Sequence, residues 1–374
     1  MMPRKSVPSV IDVFAGVGGL SLGAARAGFN VAAAVEIDKH AIAAHHLNFP
    51  KTKAIDKDIT QVPGVDLLKE AGLKMGELTG LIGGPPCQGF SSIGKRAASD
   101  PRNSLFSTFF ELVAEVRPAF FLAENVPGIL HERNDEVRNS ALALVPDNYV
   151  LLDPIKVKAN EYGAPTTRTR MFFIGYDPER VRPLSKDDFA ADQDTEDVRV
   201  SHALLGIPNL GSAWDSGDGR RKVRASSSTR FGTRLHDCIP TGVGHEESIK
   251  LLQSKRVVSG FLSTIHTPQT VKRFNKLAVG MQDDVSKSVR LNPNGYCPTL
   301  RAGTGPERGS YQAVRPIHPS DPRVICPREA ARLQGFPDWF QFDATKWHAF
   351  RQIGNSVSPI IAEAILSKLH AALR

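Results

Sequence analysis

Apolar runs and polar breaks alternate along the first half of the chain. Val10-Ile11-Asp12-Val13-Phe14 is an apolar run broken by one acid, and it predicts a buried strand. A glycine-rich turn follows, and then Leu20, Ala24 and Ala27 recur at helical spacing. Val31 to Ile37 predicts a second strand; Leu81-Ile82, Phe120 to Ala123 and Met171 to Tyr176 predict three more. Strands alternating with helices predict an α/β fold built on a mostly parallel sheet. After about Asp177 the periodicity weakens, and charged, Gly, Ser and Pro stretches take over. Helical pattern returns at Arg328 to Leu333 and at Ile360 to Leu373, where Ile361, Ile365, Leu369 and Leu373 share a face. The expected division is a first domain over 1–177, a smaller loop-rich domain over 178–322 and a return to the first over 323–374. No internal repeat interrupts this plan.

Composition changes the picture little. Of 374 residues, 41% are hydrophobic and 23% charged, which suffices for a sizeable core. The net charge of +8 fits a polyanionic partner such as nucleic acid. Cys87, Cys238, Cys297 and Cys326 have no zinc-type spacing, so no metal is expected and the thiols read as free, in a reducing compartment. The segment Met1 to Val10 has no signal-peptide core, and no apolar run reaches the ~20 residues of a membrane span. These features lead us to expect a soluble, cytoplasmic protein.

Asp12-Val-Phe-Ala-Gly-Val-Gly-Gly19 lies where the first strand meets the first helix. Glycines there allow a tight turn and close approach of a ligand to the main chain. Glu36 ends the second strand, where a carboxylate can hold two ribose hydroxyls, and Asp58 lies near the end of a possible third. The dinucleotide fingerprint is not matched, because Gly16-Val-Gly18 continues Gly19-Leu-Ser21. A nucleoside without a pyrophosphate fits better; the bland alternative is a tight turn with solvated acids.

Gly83-Gly84-Pro85-Pro86-Cys87-Gln88-Gly89-Phe90-Ser91 follows the strand at Leu81-Ile82. In a parallel sheet, the C-terminal strand ends line the ligand crevice. A cysteine after two prolines sits on a stiff turn, whereas structural cysteines prefer burial. Lys95, Arg96 and Arg102 make the rest of this loop basic and suited to closing over an anion. A surface thiol on a turn is the plain alternative.

Pro85-Pro-Cys-Gln-Gly-Phe-Ser91 resembles the catalytic motif of DNA cytosine-5 methyltransferases of the bacterial restriction-modification type. Other motifs of that family follow in order. Asp12 to Gly19 is similar to the methionine-binding motif, Glu124-Asn125-Val126 to the Glu-Asn-Val motif, and Arg168-Thr-Arg170 to the paired arginines. Pro327 to Pro337 is similar to the late helix motif, and Gln352-Ile-Gly-Asn-Ser-Val357 to the last motif. The resemblance covers about 9–177 and 289–366. One departure is Thr166, where the family usually has Gln.

The resemblance implies a Rossmann-like, S-adenosylmethionine-dependent fold with a loop-rich DNA-recognition domain. It implies methyl transfer to C5 of a flipped-out cytosine, with S-adenosylhomocysteine as the product. Cytosine C5 is a poor nucleophile until a thiolate adds at C6, and Cys87 is the implied thiolate. Its ionised form needs nearby cations or a helix N-terminus. Glu124 would meet N3, partly protonated when the base is bound, as burial at a strand end favours. Arg168 would bond O2 of the base, and Arg170 would support Glu124 or the cysteine loop. Alternation along a strand puts both arginines on one face. Phe14 would lie near the donor's adenine, with Ala15, Gly16, Gly18, Gly19 and Leu20 around its methionine part. Glu36 and Ile37 would meet the ribose and its surroundings, and Asp58 and Ile59 the adenine end. Pro86, Leu105, Asn355 and Ser356 would complete the pocket.

For DNA, the implied contacts are Gln88, Ser91, Lys95 and Arg96 on the cysteine loop and Arg220, Arg221, Arg224 and Thr299 in the second domain. Six basic residues fall between Arg220 and Arg234, interleaved with Ser226 to Ser228, a composition suited to phosphates and guanine edges. A solvated basic loop is the alternative. Thr299-Leu300 resembles the family's Thr-Leu pair, whose Thr contacts a phosphate. The expected partner is double-stranded DNA bound by a monomer, with a cognate restriction endonuclease acting on the same site without contact. A transfer-RNA methyltransferase of the same fold is disfavoured by the long insert and by Gly89-Phe90-Ser91. A non-catalytic DNA-binding regulator is disfavoured by intact Cys87, Glu124 and Arg168, and a nucleotide-dependent oxidoreductase by the missing fingerprint.

Overall fold

The computed structural model describes residues 7–86, 104–210, 219–224, 229–302 and 315–374. Cys87, Gln88, Ser91, Lys95 and Arg96 therefore lie outside the described residues.

The first half of the chain runs β1 (Ser9–Val13), α1 (Gly19–Arg26), β2 (Asn30–Val35), α2 (Lys39–Asn48), β3 (Lys53–Ile55), α3 (Gly64–Glu70) and β4 (Gly80–Gly83). It continues with α4 (Ser104–Val116), β5 (Phe120–Asn125), α5 (Asp135–Leu142), β6 (Val150–Leu151), β7 (Ile155–Lys158) and β8 (Thr169–Tyr176). These strands form one eight-stranded sheet in the order β3-β2-β1-β4-β5-β8-β6, with β7 also on β8. β3, β2, β1, β4 and β5 are parallel. β8 enters antiparallel, with Glu124 opposite Phe172 and Asn125 opposite Met171. The Val31–Ile37 run ends its strand at Val35; the Glu36 amide still donates to the Ile55 carbonyl, while its side chain turns back to the Gly16 amide.

Alternation along the strands assigns the two faces. Ile11, Val13, Leu81 and Phe121 pack with Leu67, Phe109 and Phe110, under α3 and α4. Val10, Ile82, Phe120 and Leu122 pack with Leu20, Leu22 and the last helix on the other face. The second half of the chain adds further elements, ending in that last helix. These are α6 (Val200–Leu204), β9 (Arg221–Lys222), α7 (Arg230–His236), α8 (Glu246–Lys255), β10 (Val257–Val258), α9 (Pro268–Lys276), α10 (Pro327–Gln334), α11 (Lys346–Asn355) and α12 (Pro359–Ala372). Ile361, Ile365 and Leu369 of α12 are fully buried. A Cβ on Gly23 of α1 would lie 2.2 Å from Ala362 Cβ, so only glycine permits this close approach of α1 and α12.

α10 is an anchor. Pro327 opens it, Glu329 accepts from the Cys326 amide at 2.8 Å, and Gly335 closes it at φ 92°. Arg323 grips Glu329 at 2.9 and 2.8 Å, and Arg332 grips Asp338 at 2.8 and 2.6 Å. Arg328 donates to the Ser259, Pro337 and Phe340 carbonyls, and burial lowers its pKa to about 10. Arg332 also donates to the Ala203 and Leu205 carbonyls, so α10 is wedded to the α6 region. Among the described residues, no helix is long and apolar enough to cross a membrane.

Candidate active site

The ends of β1, β2, β4 and β5 open onto one cavity of about 470 Å³. Of the residues expected to hold the donor, all but Gly18 line it: Phe14, Ala15, Gly16, Gly19 and Leu20 after β1, Glu36 and Ile37 after β2, and Asp58 and Ile59 after β3. Pro86, Leu105, Asn355 and Ser356 complete that set. Gly18 turns inward instead: at φ 100°, its added Cβ would lie 2.5 Å from the Phe49 ring. Phe14 holds the left-handed φ of 60°, a strained conformation for an aromatic residue at the mouth of a ligand site.

Glu36 is positioned before any ligand arrives. Its Oε2 accepts from the Gly16 amide at 2.9 Å and its Oε1 from the Asp38 amide at 2.8 Å. Burial raises its pKa, and these backbone donors act against that shift. Asp58 Oδ1 is held by the Thr60 amide and hydroxyl at 3.0 and 2.8 Å. The chain's far end joins the cavity because Gly19 lies against Val357, where a Cβ would come within 2.3 Å of the Val357 carbonyl oxygen. His40, His348, Arg351 and Gln352 also line the cavity. Sequence reasoning missed them as site residues; only Gln352 lay within a motif, and the others come together only through folding. The rings of His40 and His348 stack at 3.5 Å, and Asp343 holds His40 at 2.8 Å.

Behind the glycine turn lies a buried polar chain that sequence reasoning did not pick out. Ser21 Oγ bonds Asp12 Oδ2 at 2.6 Å and His45 Nε2 at 3.0 Å, and Phe49 stacks on His45 at 4.4 Å. All three polar residues are fully buried. Burial pushes Asp12 up to about 7 and His45 down to about 3.

The same cavity receives Glu124, Arg168 and Arg170. Glu124 ends β5 and is paired with Arg170 Nε at 2.5 Å. Arg170 also donates to the Thr169 carbonyl at 2.7 Å. A Cβ on Gly84 would lie 3.2 Å from Glu124 Oε2, so the small residue keeps room beside the acid. Asn125 donates to the Pro85 carbonyl at 3.4 Å and accepts from the Val126 amide at 2.8 Å, which ties the base of the cysteine loop to β5. Arg168 is 1% exposed and donates to the Leu300 carbonyl at 3.0 Å and the Asn355 carbonyl at 3.5 Å. Thr166, the departure from the family pattern, pairs its backbone with Cys297. Its buried hydroxyl has no hydrogen-bond partner among the described residues. No metal-holding cluster of His, Cys, Asp or Glu occurs among the described residues.

The arginines expected to read DNA sit apart from this cavity. Arg220 is exposed and paired with Glu247 at 3.2 Å, Arg221 is half-buried in β9, and Arg224 is exposed. Arg234 turns towards α12, 3.7 Å from Glu363. Thr299 is half-buried beside Leu300.

A parallel-sheet crevice with an acid after β2, a glycine turn after β1 and a second acid at the end of β5 defines a Rossmann-like methyltransferase fold. The family model for C-5 cytosine-specific DNA methylase matches residues 9–371, and the chain belongs to that family. The type II methyltransferase M.XorII of Xanthomonas oryzae pv. oryzae is 40% identical over 378 residues, 98% of this chain and 85% of that protein. The type II methyltransferase M.DdeI of Desulfomicrobium norvegicum is 30% identical, over 96% of this chain and 88% of that protein. A solved structure of a prophage-encoded E. coli protein assigned as a DNA modification methyltransferase aligns with a TM-score of 0.88 and 47% identity, covering 98% of this chain and 99% of that one. The Dnmt2 methyltransferase of S. pombe shares the fold at a TM-score of 0.62 and 18% identity, over 97% of this chain and 98% of that one.

Proposed function

We propose that the chain transfers a methyl group from S-adenosylmethionine to C5 of a flipped-out cytosine in a specific duplex sequence, through a Cys87–C6 adduct. One observation carries this reading: Glu124, Arg168 and the Gly16–Glu36 pair line one cavity, entered by the strand-end loop that leads to Cys87. The donor supplies an electrophilic methyl on a sulfonium. Glu36 is held ready for ribose hydroxyls, Asp58 for the adenine end, and the Ala15–Leu20 backbone for the amino-acid end.

The Cys87 thiolate adds at C6 and pushes an electron pair into the ring towards N3 and O2. Glu124 gives N3 a proton or hydrogen bond, with its carboxyl aimed by Arg170. Arg168 stabilises the developing charge at O2. C5 then takes the methyl as its bond to the sulfonium sulfur breaks, leaving S-adenosylhomocysteine; a base removes the C5 proton, N3 returns its proton to Glu124, and elimination re-forms the 5,6 double bond and releases the Cys87 thiolate. Because C6 is shielded in a stacked duplex, the base must leave the helix. The segment 178–322 serves as the recognition domain, with Arg220, Arg221, Arg224 and Thr299 facing DNA beside the loop residues Gln88, Ser91, Lys95 and Arg96. The catalytic domain comprises 1–177 and 323–374. The type II methyltransferases among its relatives support a DNA-modification role; we further propose that the chain works as a cytoplasmic monomer and protects sites of a cognate restriction endonuclease.

Labelled methyl transfer to duplex DNA tests the mechanism. Cys87→Ser should lower it by about three orders of magnitude or more. Glu124→Gln should lower kcat by about 10²- to 10⁴-fold. Full activity in Cys87→Ser would sink the covalent route.

A further inference from the structure

The arginines packed around α9 and α10 have acids or main-chain carbonyls as partners. Asp283 holds Arg273 at 2.6 Å, Glu329 holds Arg323, and carbonyls hold Arg290 and Arg328. Arg315 differs. Its guanidinium lies over the Phe350 ring, with Cζ 4.0 Å from the centroid. Its Nε is buried and has no hydrogen-bond partner among the described residues. Burial lowers its pKa, and among the described residues no acid acts against that shift.

A second cation stands close by. Lys346 lies one turn before Phe350 on α11, on the same flank of the helix. Its Nζ donates to the Ser263 carbonyl at 2.8 Å and to the Thr264 hydroxyl at 3.1 Å. Burial lowers the Lys346 pKa, and the charge of Arg315 adds to the fall. Two like charges in partly desolvated surroundings work against the fold, and one aromatic ring offsets only part of that. An anion offsets the rest. A phosphate group suits these donors best, because it offers several oxygens to a forked guanidinium, an ammonium and a hydroxyl. Arg315, Lys346 and Thr264 are all half-buried, so solvent reaches each of them.

This flank of α11 faces away from the cavity, whose wall takes His348, Arg351, Gln352 and Asn355 from the other side of the helix. Ser263 and Thr264 come from the 178–322 segment, so the cations sit where that segment meets α11. They lie about one helix diameter, ~10 Å, from the cavity. A duplex docked there covers roughly 1,000–2,500 Å² of protein and reaches further than that.

We propose that Arg315, Lys346 and Thr264 form a phosphate-group site, separate from the donor and base cavity. The phosphate belongs either to the backbone of bound duplex, a reading that rests on the function proposed above, or to a free phosphate ion.

Arg315→Met, which keeps an apolar stem on Phe350 and removes the charge, separates these sources in the full chain. For a backbone phosphate, duplex affinity should fall about tenfold whatever the sequence. The slope of log affinity against log salt should flatten by about 0.9, and Arg315→Lys should restore most of it. S-adenosylhomocysteine affinity should not change. The unfolding midpoint should hold or rise, because the variant removes a desolvated charge. For a free ion, millimolar inorganic phosphate should raise the wild-type midpoint above that in chloride of equal ionic strength. It should leave Arg315→Met unmoved, with the salt slope unchanged. Lys346→Gln, which keeps a donor for the Ser263 carbonyl, stands in if Arg315→Met does not melt cooperatively. An unchanged salt slope together with no effect of phosphate on the wild type overturns the site. A lowered midpoint with both kinds of binding intact does so too, since Arg315 then only packs on Phe350. If the wild type binds no duplex, the proposed function fails, and the phosphate arm alone decides the site.

Discussion

Asp12 sits at the end of β1 with its carboxyl in a closed polar chain to Ser21 and His45. Its ordinary value of 3.8 rises to about 7, with burial the main cause and the charge of Glu36 adding to it. The fold therefore favours the protonated acid. That contribution is fully present below pH 3.8, is lost as the pH rises to about 7, and changes no further above. His45 runs the other way, because burial and the charge of His46 take it from 6.5 to about 3. Its contribution is present above pH 6.5 and is lost as the pH falls towards 3. Between those limits the two slopes oppose one another. Asp12→Asn removes one slope and leaves the other. Urea unfolding between pH 4 and 6.5 should then show stability climbing with pH more steeply in the variant, by about 1.4 kcal/mol per pH unit. Equal slopes in the two proteins would contradict the buried, protonated Asp12. This acid was legible as part of a motif, but its partner His45 was not, since nothing local distinguishes a buried histidine on α2 from a solvated one.

At the scale of elements, the contact of α1 with α12 brings the last motif to the donor pocket. An exposed helical glycine gains up to about 1 kcal/mol when changed to alanine. Gly23 should show the opposite sign, because its Cβ would sit 2.2 Å from Ala362. Gly23→Ala should lose about 1–3 kcal/mol in urea unfolding. An unchanged or higher midpoint would mean that the two helices do not touch there. Strand-end motifs were readable from the chain because their signals are local: an apolar run, then glycine or an acid. The glycine turn, Glu36, Asp58 and Glu124 belong to this class. Gly18 was read as a ligand contact for the same reason; packing adds that a side chain there would meet the Phe49 ring. Arg351, His40 and His348 were invisible because α2 and α11 meet only in the folded chain. The arginines of α10 read as a family motif, but their work is structural, in buried pairs with Glu329 and Asp338.

Across the whole molecule, a surplus of +8 accompanies a cavity in which Glu124 pairs with Arg170 and Asp38 with Arg351. A basic surplus of this sign favours attraction to a phosphate backbone. Whether this chain marks cytosines in duplex DNA is read by bisulfite sequencing of DNA from cells expressing it. Cytosines at one short recurring duplex sequence should resist conversion, and that resistance should vanish with Cys87→Ser. Uniform conversion of the DNA by the expressed, folded wild type, or resistance that survives Cys87→Ser, would contradict the account.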